Sequence, residues 1–223
     1  MRFLGKVMAI TLKDMISEFR AREIIVSVLV FTLLVIIIFN FAFGTTREVM
    51  DLTAPGMLWV TFAFAGVLAL NRSFIMEKEE GCIEGLVVAP VSREIIYTGK
   101  MLSSLFFMLI IEVVALPIFA FLFNLAVLTP EIIVTTLLAT IGFVACGTLF
   151  SALAVKTRAR ELVLPILFLP VVVPVIISAV KASSLALAGE SWAAMASWLQ
   201  IIIAFDIVFL VISIWIFDFV IEE

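Results

Sequence analysis

The sequence predicts an all-α polytopic membrane protein: six transmembrane helices preceded by an interfacial amphipathic helix. Three observations carry that prediction. Of 223 residues, 65% are hydrophobic and 14% charged, with a mean hydropathy of +1.32. That is too little polar surface for a soluble domain of this length. Six long apolar stretches alternate with short polar gaps, and Lys and Arg concentrate in every second gap.

Residues 1–23 come first. Phe3, Leu4, Val7, Met8, Leu12, Met15, Ile16 and Phe19 recur at helical spacing, with Arg2, Lys6, Lys13, Asp14, Glu18 and Arg20 mostly on the other face. The pattern suits a helix lying in the membrane interface and is not that of a cleavable signal. Residues 24–43 contain no charge and reach roughly 30 Å at about 1.5 Å per residue, one hydrocarbon core. Further spans are expected at 53–71, 101–124, 131–155, 162–180 and 199–219. The fifth carries Pro165, Pro170 and Pro174. Three missing backbone donors predict a kinked or broken helix that packs inside the bundle. Residues 181–198, rich in small residues and carrying Trp192 and Trp198, read as an external interfacial or re-entrant segment. The whole chain, 1–223, forms one transmembrane domain.

Charge orients it. Arg2, Lys6, Lys13, Arg20 and Arg22 precede the first span. Arg72, Lys78, Arg93 and Lys100 lie between the second and third, and Lys156, Arg158 and Arg160 between the fourth and fifth. The other side has only Arg47 and Lys181. The positive-inside rule therefore places both termini, and the loop 72–100, in the cytoplasm.

Several functions are excluded or disfavoured. No basic footprint for nucleic acid exists. There is no histidine, which removes the commonest metal and haem ligand and the commonest general base. Cys82 and Cys146 form no metal or redox spacing and read as small apolar fillers. Gly5-Lys6 and Gly99-Lys100 lack the upstream glycine of a phosphate loop, position 94 being Glu94. A membrane enzyme is disfavoured, because no carboxylates cluster at metal spacing. A stand-alone transporter would show broken helices in matching halves, and only the fifth span is broken by several prolines.

The densest polar feature is "EKEEGCIEGLVVAPVSREIIYTGK", residues 77–100, with eight charges. Cys82, Ile83, Leu86 and Val87 share one helical face. Gly81 and Gly85 each weaken a helix by about 1 kcal/mol, Pro90 ends it, and Ser92 can cap the next helix. The expected form is a short amphipathic helix, a proline corner and a capped helix entering the third span. Within the spans, Glu112 and Asp206 stand out with Asn71 as a candidate polar site. A charge at a helix centre costs about 2.5–3.5 kcal/mol, so Glu112 must face the bundle, be protonated or meet a partner.

The 77–100 stretch resembles the signature of ABC-2 type transporter permeases. With "APGMLWVTFAFAGVLALNRSF" at 54–74 and "SEFRARE" at 17–23, the chain resembles the haem-exporter branch, the cytochrome c maturation B family. The resemblance implies an ABC-2 type permease architecture in the bacterial cytoplasmic membrane, non-catalytic itself. Its implied partners are an ABC ATPase subunit that carries ATP-Mg, a second copy of the chain, a haem-handling membrane protein and a periplasmic haem chaperone. Glu77, Glu79, Glu80, Gly81, Glu84, Gly85, Pro90, Ser92 and Arg93 become the ATPase-coupling positions, with "KTRARE" at 156–161 a second contact. Haem is then a handled substrate, not a bound cofactor. Without histidine its ligation would fall to Met, Tyr97 or a Cys, which favours ATP-coupled release of the loaded chaperone over haem conduction. The alternative is a general ABC-2 exporter of lipid, glycan or drug.

Overall fold

The computed structural model describes residues 3–20, 22–43, 46–79, 91–155 and 160–222. Among these, every regular element is an α-helix: α1 (Phe3–Arg20), α2 (Arg22–Phe43), α3 (Arg47–Glu79), α4 (Arg93–Phe123), α5 (Pro130–Val155), α6 (Arg160–Leu187) and α7 (Trp192–Glu222). The six after α1 are each long and apolar enough to cross a bilayer.

Local chemistry sets the helix ends. Pro130 opens α5, where its missing N–H costs nothing, and Thr129 Oγ1 accepts from the Ile132 N–H at 3.4 Å. Asn124 closes α4 in the left-handed region at φ 51°. The α6–α7 turn uses Gly189 at φ 74°, a conformation that is free only without a Cβ, and the Glu190 N–H caps the Leu185 carbonyl at 3.0 Å.

The fourth span is the most buried of the six, and the proline-bearing fifth is only partly buried. In α5, 72% of the apolar window is buried, against 33% in α6 and 17% in α2 and α7. Small residues explain this: Ala139, Gly142, Ala145, Cys146 and Gly147 let α3, α4, α6 and α7 approach α5 closely. α6 is continuous through its three prolines. Pro170 and Pro174 stand on its exposed face. Residues 181–198 form no separate element either. They extend α6 and open α7, leaving the turn at 188–191.

Two helices run past the apolar stretches that define them. α3 continues eight residues beyond Asn71, where its apolar window ends, and α4 starts eight residues before the expected position 101. At about 1.5 Å per residue each extension is roughly 12 Å. Charges such as Glu77, Arg93 and Lys100 interrupt hydropathy without interrupting the helix.

Candidate functional site

The charged loop rises from those two extensions. Glu80, Gly81, Glu84, Gly85 and Pro90 lie outside the described residues, as do Cys82 and positions 156–159. Glu77 and Glu79 sit on the last turn of α3. Ser92 occupies the N-cap position of α4 in extended conformation, φ −63° and ψ 145°. Its side chain makes no cap bond. The Ser92 carbonyl instead accepts from the Ile95 N–H at 3.0 Å. Arg93 is the first helical residue, half-buried.

Immediately after, α4 is held from three sides. Ile95, Ile96 and Tyr97 are buried. The Tyr97 hydroxyl donates to the Ala145 carbonyl of α5 at 2.8 Å. Its ring lies 5.3 Å from that of Phe217 in α7. On the third side α1 docks. The Thr11 hydroxyl reaches the Gly99 carbonyl at 3.1 Å and the Val7 carbonyl at 3.0 Å. A Cβ at Gly99 would stand 2.7 Å from Ile10 Cγ2, so glycine permits the close approach. Lys100 Nζ lies 3.6 Å from Asp14 Oδ2, with both side chains buried. Phe19 then packs on Phe106 and Phe107 at 6.3 and 5.7 Å. Rising numbers on α1 meet rising numbers on α4, so the two helices run in the same direction.

This arrangement divides α1 differently from its simple amphipathic reading. Val7, Thr11 and Asp14 form the buried face. Leu4, Met8, Leu12 and Ile16 remain exposed as an i, i+4 stripe, the face that lipid covers on an interfacial helix. Asp14, expected on the solvated side, is a buried partner of Lys100. Tyr97, expected in the loop, is a buried helical residue. Tyr97→Phe should cost about 1 kcal/mol, the usual net worth of one hydrogen bond. It also leaves the Ala145 carbonyl without the phenol. A fall of a few degrees in the melting temperature of the purified protein would register this, and an unchanged melt would contradict the clamp.

Among the intramembrane polar residues, Glu112 is buried and faces the bundle, where the Thr140 hydroxyl donates to its Oε1. Asp206 is buried on α7 with Oδ1 against Gly142, at a point where no Cβ fits. Thr140 and Gly142 are two residues apart on α5, about 200° around the helix. Glu112 and Asp206 therefore approach α5 from different sides. Asn71 is half-buried at the end of the apolar window of α3. Sequence reasoning did not single out Ser183, which accepts the Trp59 indole N–H at 2.9 Å and ties α3 to α6. Nor did it connect Asn40 with the Leu122 carbonyl, a 2.8 Å bond between α2 and α4. Among the described residues, no group of three His, Cys, Asp or Glu side chains could hold a metal ion.

Six apolar spans and a docked N-terminal amphipathic helix define a polytopic helical membrane protein. The family model described as CcmB protein matches residues 5–222. The chain belongs to that family. It is 35% identical over 152 residues to heme exporter protein B of Rhodobacter capsulatus, covering 67% of this chain and 69% of that protein. It is 29% identical over 182 residues to heme exporter protein B of Pseudomonas aeruginosa, covering 81% and 82%. The same identity extends over 160 residues of the Bradyrhizobium diazoefficiens protein of that name, covering 71% and 72%.

Proposed function

We propose that this chain is the permease subunit of an ABC transporter complex for cytochrome c maturation. A partner ATPase binds the loop 77–93 from the cytoplasm. ATP hydrolysis on that partner is coupled through α4 to haem handling on the opposite face of the membrane. Family membership supports the class of function. The observation that carries the coupling reading is the root of α4, helical from Arg93 and held by Thr11, Asp14, Ala145 and Phe217. A displacement of the loop would enter a helix already joined to α1, α5 and α7.

We favour release of a haem-loaded periplasmic chaperone over conduction of haem through this subunit. Two of the side chains considered as ligands are committed elsewhere. Tyr97 is fully buried with its hydroxyl on Ala145, and Cys146 is fully buried in α5. The chain acts as a homodimer beside two ATPase copies, in the bacterial inner membrane with both termini cytoplasmic. Phe217 near the end of α7 meets Tyr97 at the end of the bundle where α1 also docks, an arrangement that agrees with this topology.

Affinity purification of the tagged protein in mild detergent tests the reading. An ATPase and a haem-handling membrane protein should co-purify. An ATPase alone would favour the general ABC-2 exporter, and no ATPase would sink both. Within the loop, Glu80→Lys reverses a charge and Gly81→Pro removes a backbone donor. Either should lower ATPase capture or turnover without lowering membrane insertion. Wild-type behaviour of both variants would remove the loop from the coupling path.

A further inference from the structure

Glu112 has a second oxygen to account for. Thr140 serves Oε1, but Oε2 has no hydrogen-bond partner, although Glu112 is only 2% exposed. Beside it lies a cavity of about 10 Å³ at the junction of α3, α4, α5 and α6. Its walls are Trp59, Phe62, Met108, Phe143 and Ile176, with Glu112 and Thr140 as the polar lining. The Trp59 indole N–H is committed to Ser183 and contributes no donor.

The chemistry of the lining narrows the ligand. A divalent cation needs about six oxygen ligands, and Glu112 and Thr140 supply three atoms between them. An organic molecule needs a pocket of at least about 300 Å³, far above the volume here. Water fits on both counts. It requires roughly 10–15 Å³ of such space and two to four polar partners. Glu112 Oε2 accepts one hydrogen bond, and Thr140 Oγ1, donating to Oε1, keeps lone pairs that accept another.

We propose that Glu112 Oε2 and Thr140 Oγ1 hold one water molecule at the junction of these four spans. The site goes beyond the coupling reading and does not depend on it. The water satisfies the orphaned carboxyl oxygen inside the bundle and completes a polar node between α4 and α5, under aromatic walls from α3 and α5. A shift of α4 against α5 would have to break that node or carry the water with it.

Radiolytic footprinting of the full-length detergent-purified protein in heavy-oxygen water tests this directly. Pulsed hydroxyl radicals formed at a bound water oxidise the side chains touching it. Met108, Phe62 or Phe143 should take up heavy oxygen in the wild type, while Met195, fully buried and outside the cavity lining, stays unlabelled. Glu112→Leu should lose that uptake down to the Met195 level. Glu112→Gln, whose amide oxygen can take the Thr140 hydroxyl while its NH2 donates to the water, should retain it. Both variants are scored only on the monodisperse fraction, so misfolded material does not count. Absence of heavy oxygen from all lining residues of the wild type would overturn the proposal. So would equal labelling in Glu112→Leu.

Discussion

Lys100→Met should lower the melting temperature of the purified protein by several degrees. Asp14 and Lys100 are both buried, and their charged groups lie 3.6 Å apart between α1 and α4. Removing the ammonium leaves Asp14 with Lys13 alone, whose Nζ lies 3.1 Å from Oδ1 on a half-exposed side chain, so the loss falls below the about 3–5 kcal/mol of a fully uncompensated buried charge. For a chain of this length each kcal/mol corresponds to roughly 2–4 °C. The methionine keeps the volume of the lysine stem, so the loss reads charge and not packing. Combining it with Asp14→Asn removes the buried carboxylate charge as well. The double variant should recover most of the stability, and the cycle isolates the pair from the other interactions of Lys100. If the single variant melts like the wild type, or the double variant melts lower still, α1 is not held by this pair. Because α1 docks on the root of the loop, loosening it should also reduce ATP turnover in the assembled complex.

Gly142→Ala should be comparably damaging, for a steric reason. The added Cβ would overlap Asp206 Oδ1 and stand 3.1 Å from Phe205 Cδ1. These atoms belong to α7, packed on the central helix, and the backbone of α5 within the bundle has little room to retreat. Overpacking of this kind costs about 1–3 kcal/mol, and the colliding atom here is polar and buried. Asp206→Ala in the Gly142→Ala background shortens the obstructing side chain and should restore most of the loss. Asp206→Asn keeps its size and should not. Thermal unfolding of the four proteins decides the matter. Relief by Asp206→Asn as complete as by Asp206→Ala would show that charge, and not space, governs the contact.

Much of the architecture is legible in the sequence because the bilayer imposes it. The expected spans 24–43 and 131–155 fall inside α2 (Arg22–Phe43) and α5 (Pro130–Val155). Each helix ends on an apolar residue, Phe43 before Gly44 and Val155 before Lys156. The third starts earlier than expected because Glu94 and Lys100 break the hydropathy pattern while leaving helix propensity intact. The position of the fifth span failed for a different reason. Three prolines predict a helix that packs inside the bundle, yet two of them face outward, and the deepest burial falls to the helix rich in small side chains.

The root of the loop was half legible. Gly99-Lys100 belongs to a quoted motif, but its local use is set by residues far away in the chain. Thr11 bonds Gly99 across 88 positions and Asp14 meets Lys100 across 86. No periodicity links such pairs, and on a helical wheel Asp14 looks like an ordinary solvated residue. Glu112 shows the same limit. Its cost in the membrane is readable from sequence, whereas Thr140 as its donor emerges only when α4 lies against α5.

The central claim is that the charged loop meets an ATPase from the side of the membrane where α1 docks. Site-specific photo-crosslinking in intact membranes tests it most directly. A benzoylphenylalanine replaces Glu84 in one variant and Glu190, in the α6–α7 turn, in another. Irradiation should join the variant at position 84 to the ATPase subunit, and the variant at position 190 should give no such product. A cross-link to the ATPase from position 190, or none from position 84 in a complex that still assembles, would contradict the account.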